Sequence, residues 1–171
     1  MPKQFTALLA TAALLLSSFA TAENSQDLEH INDLLDDLHR AAAEADEDRY
    51  LGHFAPDAVF MGTDDWERWP LPEFRKYVAG RFAGGTGWTY HPRNRFVTFA
   101  ADGQTAWFDE IVESPRWGRF RGTGVVRQVK GEWLVAHYSL TLLVPNERFA
   151  DTSAVALEGF EARDAQAAEE Q

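Results

Sequence analysis

The chain has 171 residues and a formal net charge of −11, with 27 acidic residues against 16 Lys and Arg. That balance argues against nucleic acid or an anionic lipid surface as a partner, because both repel such a chain. Cysteine is absent, so no disulfide staples the fold; with 45% hydrophobic residues, six Trp and twelve Phe, the core must hold it alone.

Lys3 precedes an apolar run from Phe5 to about Leu16, and Ala20-Thr21-Ala22 fits the small-x-small rule of a signal peptidase site. Residues 1–22 therefore read as a signal peptide. The run is shorter than the roughly 20 residues a membrane span requires. The expected location is periplasmic or secreted, with no membrane contact after cleavage. Residues 23–150 suit one domain, and 151–171 form an acidic C-terminal tail.

From Asp27 to Phe54 the spacing predicts a helix. Leu28, Ile31, Leu35, Leu38, Ala42 and Ala45 form its apolar stripe, with acids, His39 and Arg40 on the other face. Asp46-Glu47-Asp48 marks a break, and Pro56-Asp57 ends a second helical piece that buries Tyr50 and Phe54. A short strand, Ala58 to Met61, follows. Gly62 to Trp69 is a polar, tryptophan-bearing loop. Pro70 to Phe82 reads as a helix with Phe74, Tyr77, Val78 and Phe82 inward. Gly84 to Gly87 breaks the chain. Strands are expected at 88–99, 105–112, 117–129 and 133–144, with turns at Asp102-Gly103, Ser114-Pro115 and Lys130-Gly131. Helices followed by an antiparallel meander predict an α+β fold, with two or three N-terminal helices covering one face of a curved sheet.

Gly62-Thr63-Asp64, Glu67-Arg68-Trp69, Ala106-Trp107-Phe108-Asp109-Glu110, Arg121-Gly122-Thr123-Gly124-Val125 and the closing Tyr138 to Pro145-Asn146 carry a resemblance. Over about residues 27 to 148 the chain resembles the SnoaL-like branch of the nuclear transport factor 2-like fold. The resemblance implies a cone-shaped, strongly curved antiparallel sheet packed by two to three N-terminal helices, with a pocket inside, and, in many relatives, a homodimer through the outer sheet face. Its activities range over isomerases, dehydratases, cyclases, epoxide hydrolases and proteins that only bind or assemble.

Asp109 and Glu110 are neighbours on a strand and must face opposite ways, so at most one enters a pocket. There it would serve as a general base, with Tyr138 or Arg121 stabilising an oxyanion. The structural alternative is an ion pair with Arg121 or Arg68. Thr63, Asp64, Trp66, Glu67, Arg68 and Trp69 cluster at the expected cone mouth. They are candidates for ligand binding, or for helix capping and an ion pair between Glu67 or Asp64 and Arg68. Phe108 is a candidate pocket wall. His137 is a candidate base or a satisfied core residue. Gly122 and Gly124 share a strand face that leaves open space or permits close approach. His53 and Asp57 have metal-ligand spacing only on a helix, which Pro56 would end, so no metal is expected. No phosphate loop, dinucleotide fingerprint or serine elbow occurs, so no cofactor is expected. The leading expectation is an exported protein that binds a small apolar or aromatic molecule. A cofactor-free isomerase, dehydratase or cyclase and a dimerisation or assembly module are the alternatives.

Overall fold

The computed structural model describes the backbone of residues 5–170 and the side chains of residues 25–170. The side chains of the signal-peptide segment lie outside the described residues. Among the described residues no helix is long and apolar enough to cross a membrane.

The chain runs α1 (Phe5–Glu44), α2 (Glu47–Gly52), β1 (Phe54–Met61), β2 (Arg68–Pro70), α3 (Leu71–Phe82), β3 (His91–Phe99), β4 (Thr105–Ser114), β5 (Gly118–Val129), β6 (Glu132–Leu142), a 3-10 turn at Asn146–Arg148, and α4 (Phe149–Glu169). It divides into two units, one ending at Thr141 and the other running from Leu142 onward. In the second unit α4 buries no side chain.

In the first unit, helices pack on a curved, unclosed six-stranded sheet in the order β2-β1-β6-β5-β4-β3. The α+β reading holds. The sheet is mixed, however, because β1 and β6 run parallel while the β1–β2, β3–β4 and β4–β5 pairings are antiparallel. The parallel pair follows from chain order: β1 precedes α3 and the meander, whose last strand returns beside it.

Ile31, Leu35, Leu38, Ala41 and Ala42 are the buried stripe of α1, whereas Leu28 is exposed. Ala45 turns into the left-handed region at φ 55°, and the Asp46 carboxylate accepts the Arg49 N–H to start α2. α2 ends at Gly52, earlier than Pro56 implied, so Phe54 opens β1 instead of closing a helix. Pro56 has no N–H for the ladder and falls where the β1–β6 register shifts, between Phe54 and Val59. His53 and Asp57 therefore share no helix. His53 Nε2 is 2.9 Å from Asp37, and Asp57 pairs with Arg127.

α3 begins at Leu71 with Pro72 in its first turn and buries Phe74, Val78 and Phe82. Fully burying a side chain such as Phe74 contributes about 1.5–3 kcal/mol. β2 was not anticipated: the 62–67 loop folds into a hairpin that sets Trp69 opposite Phe60. After α3, the glycine-rich segment crosses the end of α1, where the Trp88 N–H donates to the Ala42 carbonyl at 3.1 Å. A side chain at Gly87 would put its Cβ 1.7 Å from that same carbonyl oxygen, so only glycine permits the crossing.

Candidate functional site

A cavity of about 130 Å³ lies between α1, α2, α3 and the inner face of the sheet. Leu38, His39 and Ala42 enter it from α1, Tyr50 from α2, Phe60 from β1, and Tyr138 and Leu140 from β6. Gly62, Thr63, Glu67 and Trp69 close one side, and Tyr77, Trp88 and Tyr90 another. All four tyrosines of the chain line it. Its size is well below the ~300–1,000 Å³ of sites for drug-sized molecules, so it suits a small ligand.

The aromatic walls are built by the hairpin and the glycine crossing. Trp69 lies over Tyr77 with centroids 4.5 Å apart at 21°. Trp88 sits 5.9 Å from Tyr77 and 5.9 Å from Tyr50, nearly parallel to the first and tilted 47° to the second. Burial pushes the Tyr50, Tyr77, Tyr90 and Tyr138 phenols up. At Tyr77 and Tyr90 the charge of Glu67 adds to the rise, and at Tyr138 that of Glu110 does so.

Behind one wall lies a buried polar network centred on Glu110, which is 0% exposed. Its Oε1 faces His39 Nε2 at 2.7 Å and accepts the Tyr138 hydroxyl at 3.0 Å. Its Oε2 accepts Arg95 Nε at 2.9 Å. Arg95 Nη2 is 2.8 Å from the same oxygen but off the hydrogen-bond direction, so this contact adds charge without a second bond. Arg95 Nη1 continues to Asp36 at 2.9 Å and to the Asn32 carbonyl at 3.1 Å. Burial alone would push the Glu110 carboxyl up. The bond with His39 and the charge of Arg95 outweigh it and hold the carboxyl below its ordinary value. With Nε2 turned to Glu110, the His39 ring presents Nδ1 with no partner among the described residues.

A match to the SnoaL-like domain model covers residues 31–145. The chain belongs to the SnoaL-like domain family. Its fold recurs in solved structures. A cystatin-like domain of unknown function from Nostoc punctiforme matches with a TM-score of 0.64 at 17% identity, covering 85% of this chain and 98% of that one. A candidate scytalone dehydratase from Novosphingobium aromaticivorans matches with a TM-score of 0.61 at 14% identity, covering 72% and 89%. A candidate dehydratase of the NTF2-like family from Streptomyces avermitilis matches with a TM-score of 0.60 at 15% identity, covering 71% and 99%. These likenesses establish the fold. A search of curated proteins found no match.

The SnoaL-like domain brings together only part of the residues the sequence singled out. Thr63, Glu67, Trp69 and Tyr138 line the cavity. Glu110 lies behind the wall, outside the lining, with its carboxylate engaged by His39, Tyr138 and Arg95, so it does not face the cavity as a base. Asp109 and Arg121 are exposed on the opposite sheet face, as strict alternation requires once Glu110 is inside, so neither reaches the cavity. The guanidinium that pairs with Glu110 is Arg95, rather than Arg121 or Arg68. Trp66 and Arg68 are exposed, and Asp64 accepts the Asp65 N–H within its loop. Glu67 accepts the N–H groups of Thr63 and Asp64 through Oε2, and α3 has Pro70 at its N-cap position with no side-chain cap. Phe108 is buried 5.8 Å from Tyr138, outside the lining. His137 Nδ1 is 3.2 Å from the Val59 carbonyl on the neighbouring strand, away from the cavity.

His39 and Arg95 are the partners of Glu110 that sequence reasoning missed. Each carried a signal. His39 stands four residues after Leu35 and three before Ala42, on the buried stripe. Arg95 alternates with Val97 and Phe99 on β3, directly opposite Glu110.

Proposed function

We propose that this SnoaL-like protein binds a small, ring-sized organic molecule in the aromatic cavity. The supporting observation is the lining itself: four tyrosines, two tryptophans and Phe60 surround an unfilled space, with His39 as its one acid–base imidazole. The leader-like pattern of residues 1–22 supports a reading in which this binding takes place outside the cytoplasm.

A second reading, a cofactor-free isomerase or dehydratase, is favoured by one contact, the 2.7 Å approach of His39 Nε2 to Glu110. In that reading the carboxylate fixes the imidazole tautomer and the ring plane. Nδ1 is left to take a proton from a ligand, and the Tyr50 and Tyr90 hydroxyls are at hand as donors for a developing oxyanion. Glu110 is then the positioning group, and His39 the base.

The test is NMR titration of the purified protein with one-ring phenols, ketones, amines and acids. Binding should move resonances of the lining residues and be lost in Leu140→Trp, which fills the cavity. A folded wild type that takes up no member of the set, or a Leu140→Trp variant that binds unchanged, overturns the proposal.

A further inference from the structure

Among the described residues the cavity wall carries one carboxylate, Glu67, and no Lys or Arg side chain. Glu67 Oε2 is held by the Thr63 N–H at 2.8 Å and the Asp64 N–H at 3.1 Å, while Oε1 has no partner among the described residues. The position of this acid is therefore fixed by backbone, and half of its accepting capacity remains. The raised Tyr77 and Tyr90 phenols, after burial, register its negative charge from inside the same cavity.

The network behind the wall also holds carboxylates. Glu110 and Asp36 place two carboxylates against one guanidinium, that of Arg95.

The remaining lining is aromatic or apolar. Trp69, Tyr77, Trp88 and Tyr90 supply π systems and phenolic oxygens, both of which attract positive charge. A net charge of −11 for the chain draws cations toward it at long range. An anionic ligand would meet Glu67 with no Lys or Arg among the described lining residues to balance it. A neutral ring could at most donate a hydrogen bond to that acid and would gain no charge attraction from it.

Resting on the reading of the cavity as a ligand site, we infer that its ligand is a small organic cation, a protonated amine or quaternary ammonium group seated among the aromatic rings and facing Glu67. The expected gain over a neutral molecule of the same shape is about 10-fold in Kd, within the range of a partly desolvated cation on aromatic faces.

The experiment is a set of matched NMR and calorimetric titrations at low and physiological salt. Choline is compared with 3,3-dimethylbutan-1-ol, its neutral isostere, and benzylamine with benzyl alcohol and benzoate. The cations should bind about 10-fold tighter than their neutral partners, and benzoate least. Glu67→Gln, which keeps an acceptor for the Thr63 and Asp64 N–H groups, should erase most of the difference without abolishing neutral binding. Tyr77→Leu at the exposed rim should weaken the cations more than the alcohols. Neutral molecules binding as tightly as cations, or benzoate binding best, would overturn the cation assignment and leave the cavity as a ligand site. If none of the five compounds bound the folded protein, the cation assignment would fail, and the wider ligand set would then decide the site itself.

Discussion

Arg95 and Glu110 stand directly opposite each other on β3 and β4, with Nε 2.9 Å from the carboxylate and both side chains buried. The pair joins the inner sheet face to α1, because the same guanidinium reaches Asp36 and Asn32 while the same carboxylate reaches His39. Removing one partner strands the other. Arg95→Met should therefore cost about 3–5 kcal/mol in urea unfolding, the range for an orphaned buried charge. Arg95→Met combined with Glu110→Gln, which removes both charges, should recover part of that loss. A single variant as stable as wild type would show that the pair carries no stability.

Acid should act through the same carboxylate. Glu110 is held below its ordinary value near 4.5 in the folded chain, so the folded state binds its proton less readily than the unfolded one. The stability this contributes is fully present above the unfolded pKa and is lost as pH falls through the lower folded pKa. Unfolding free energy should decline from about pH 5 downward, and Glu110→Gln should flatten that limb while lowering the plateau. An acid limb of equal steepness in Glu110→Gln would assign it to other groups, with Asp37 the first candidate. The Arg49 guanidinium, with help from His53, holds Asp37 well below the usual range against the opposing effect of burial.

At the other end of the scale the tyrosines should report the cavity. All four phenols are pushed up, chiefly by burial. A raised pKa of a group neutral in the fold means stability present below about pH 10 and lost as pH rises through the folded value. Phenolate absorbance should therefore lag behind free tyrosine, and Tyr50 and Tyr138 should ionise only together with alkaline unfolding. Four phenols titrating near pH 10 in a protein still folded by circular dichroism would contradict the buried lining.

Much of this arrangement could be read from residue spacing, and the failures have identifiable physical causes. α3 and the meander were legible because Phe74, Val78 and Phe82 keep a helical period and the strands end in glycine turns. The inward face of β4 was not legible from its own pattern, since Phe108-Asp109-Glu110 offers an acid to either side. Only the facing Arg95 decides it. β6 misleads more directly: Trp133 and Val135 are buried, then Tyr138 and Leu140, so its alternation changes phase around Ala136-His137. That change lies where the partner strand β1 shifts register near Pro56, a tertiary event that period-2 reading cannot see. His39 was placed on the polar face because of its chemistry, although its spacing was that of the core.

The outer face of the same strands offers a test of self-association. Phe96 and Trp107 are 65% and 51% exposed there, beside Asp109 and Thr123. If this face joins two copies, sedimentation should show a dimer, and Phe96→Asp with Trp107→Ser should return a folded monomer. A wild type that sediments as a monomer at high concentration would rule the face out as a self-association surface.

Gly122 gives the sharpest test of how Tyr138 is held. Its glycine was readable either as open space or as close approach, and the structure selects close approach. A Cβ at this position would lie 2.3 Å from the Tyr138 hydroxyl oxygen and 3.2 Å from Glu110 Cγ. The tyrosine ring cannot swing away cheaply, being parallel to Phe60 at 5.7 Å and 5.8 Å from Phe108. Gly122→Ala should therefore cost about 1–3 kcal/mol by overpacking and displace the hydroxyl from Glu110. Tyr138→Phe alone should cost about 1 kcal/mol, the worth of one hydrogen bond. In the double variant the oxygen is gone and the remaining clash is with the ring edge, so the two costs should sum to more than the measured loss. Strict additivity in urea unfolding would mean that the glycine serves the strand backbone and not the tyrosine.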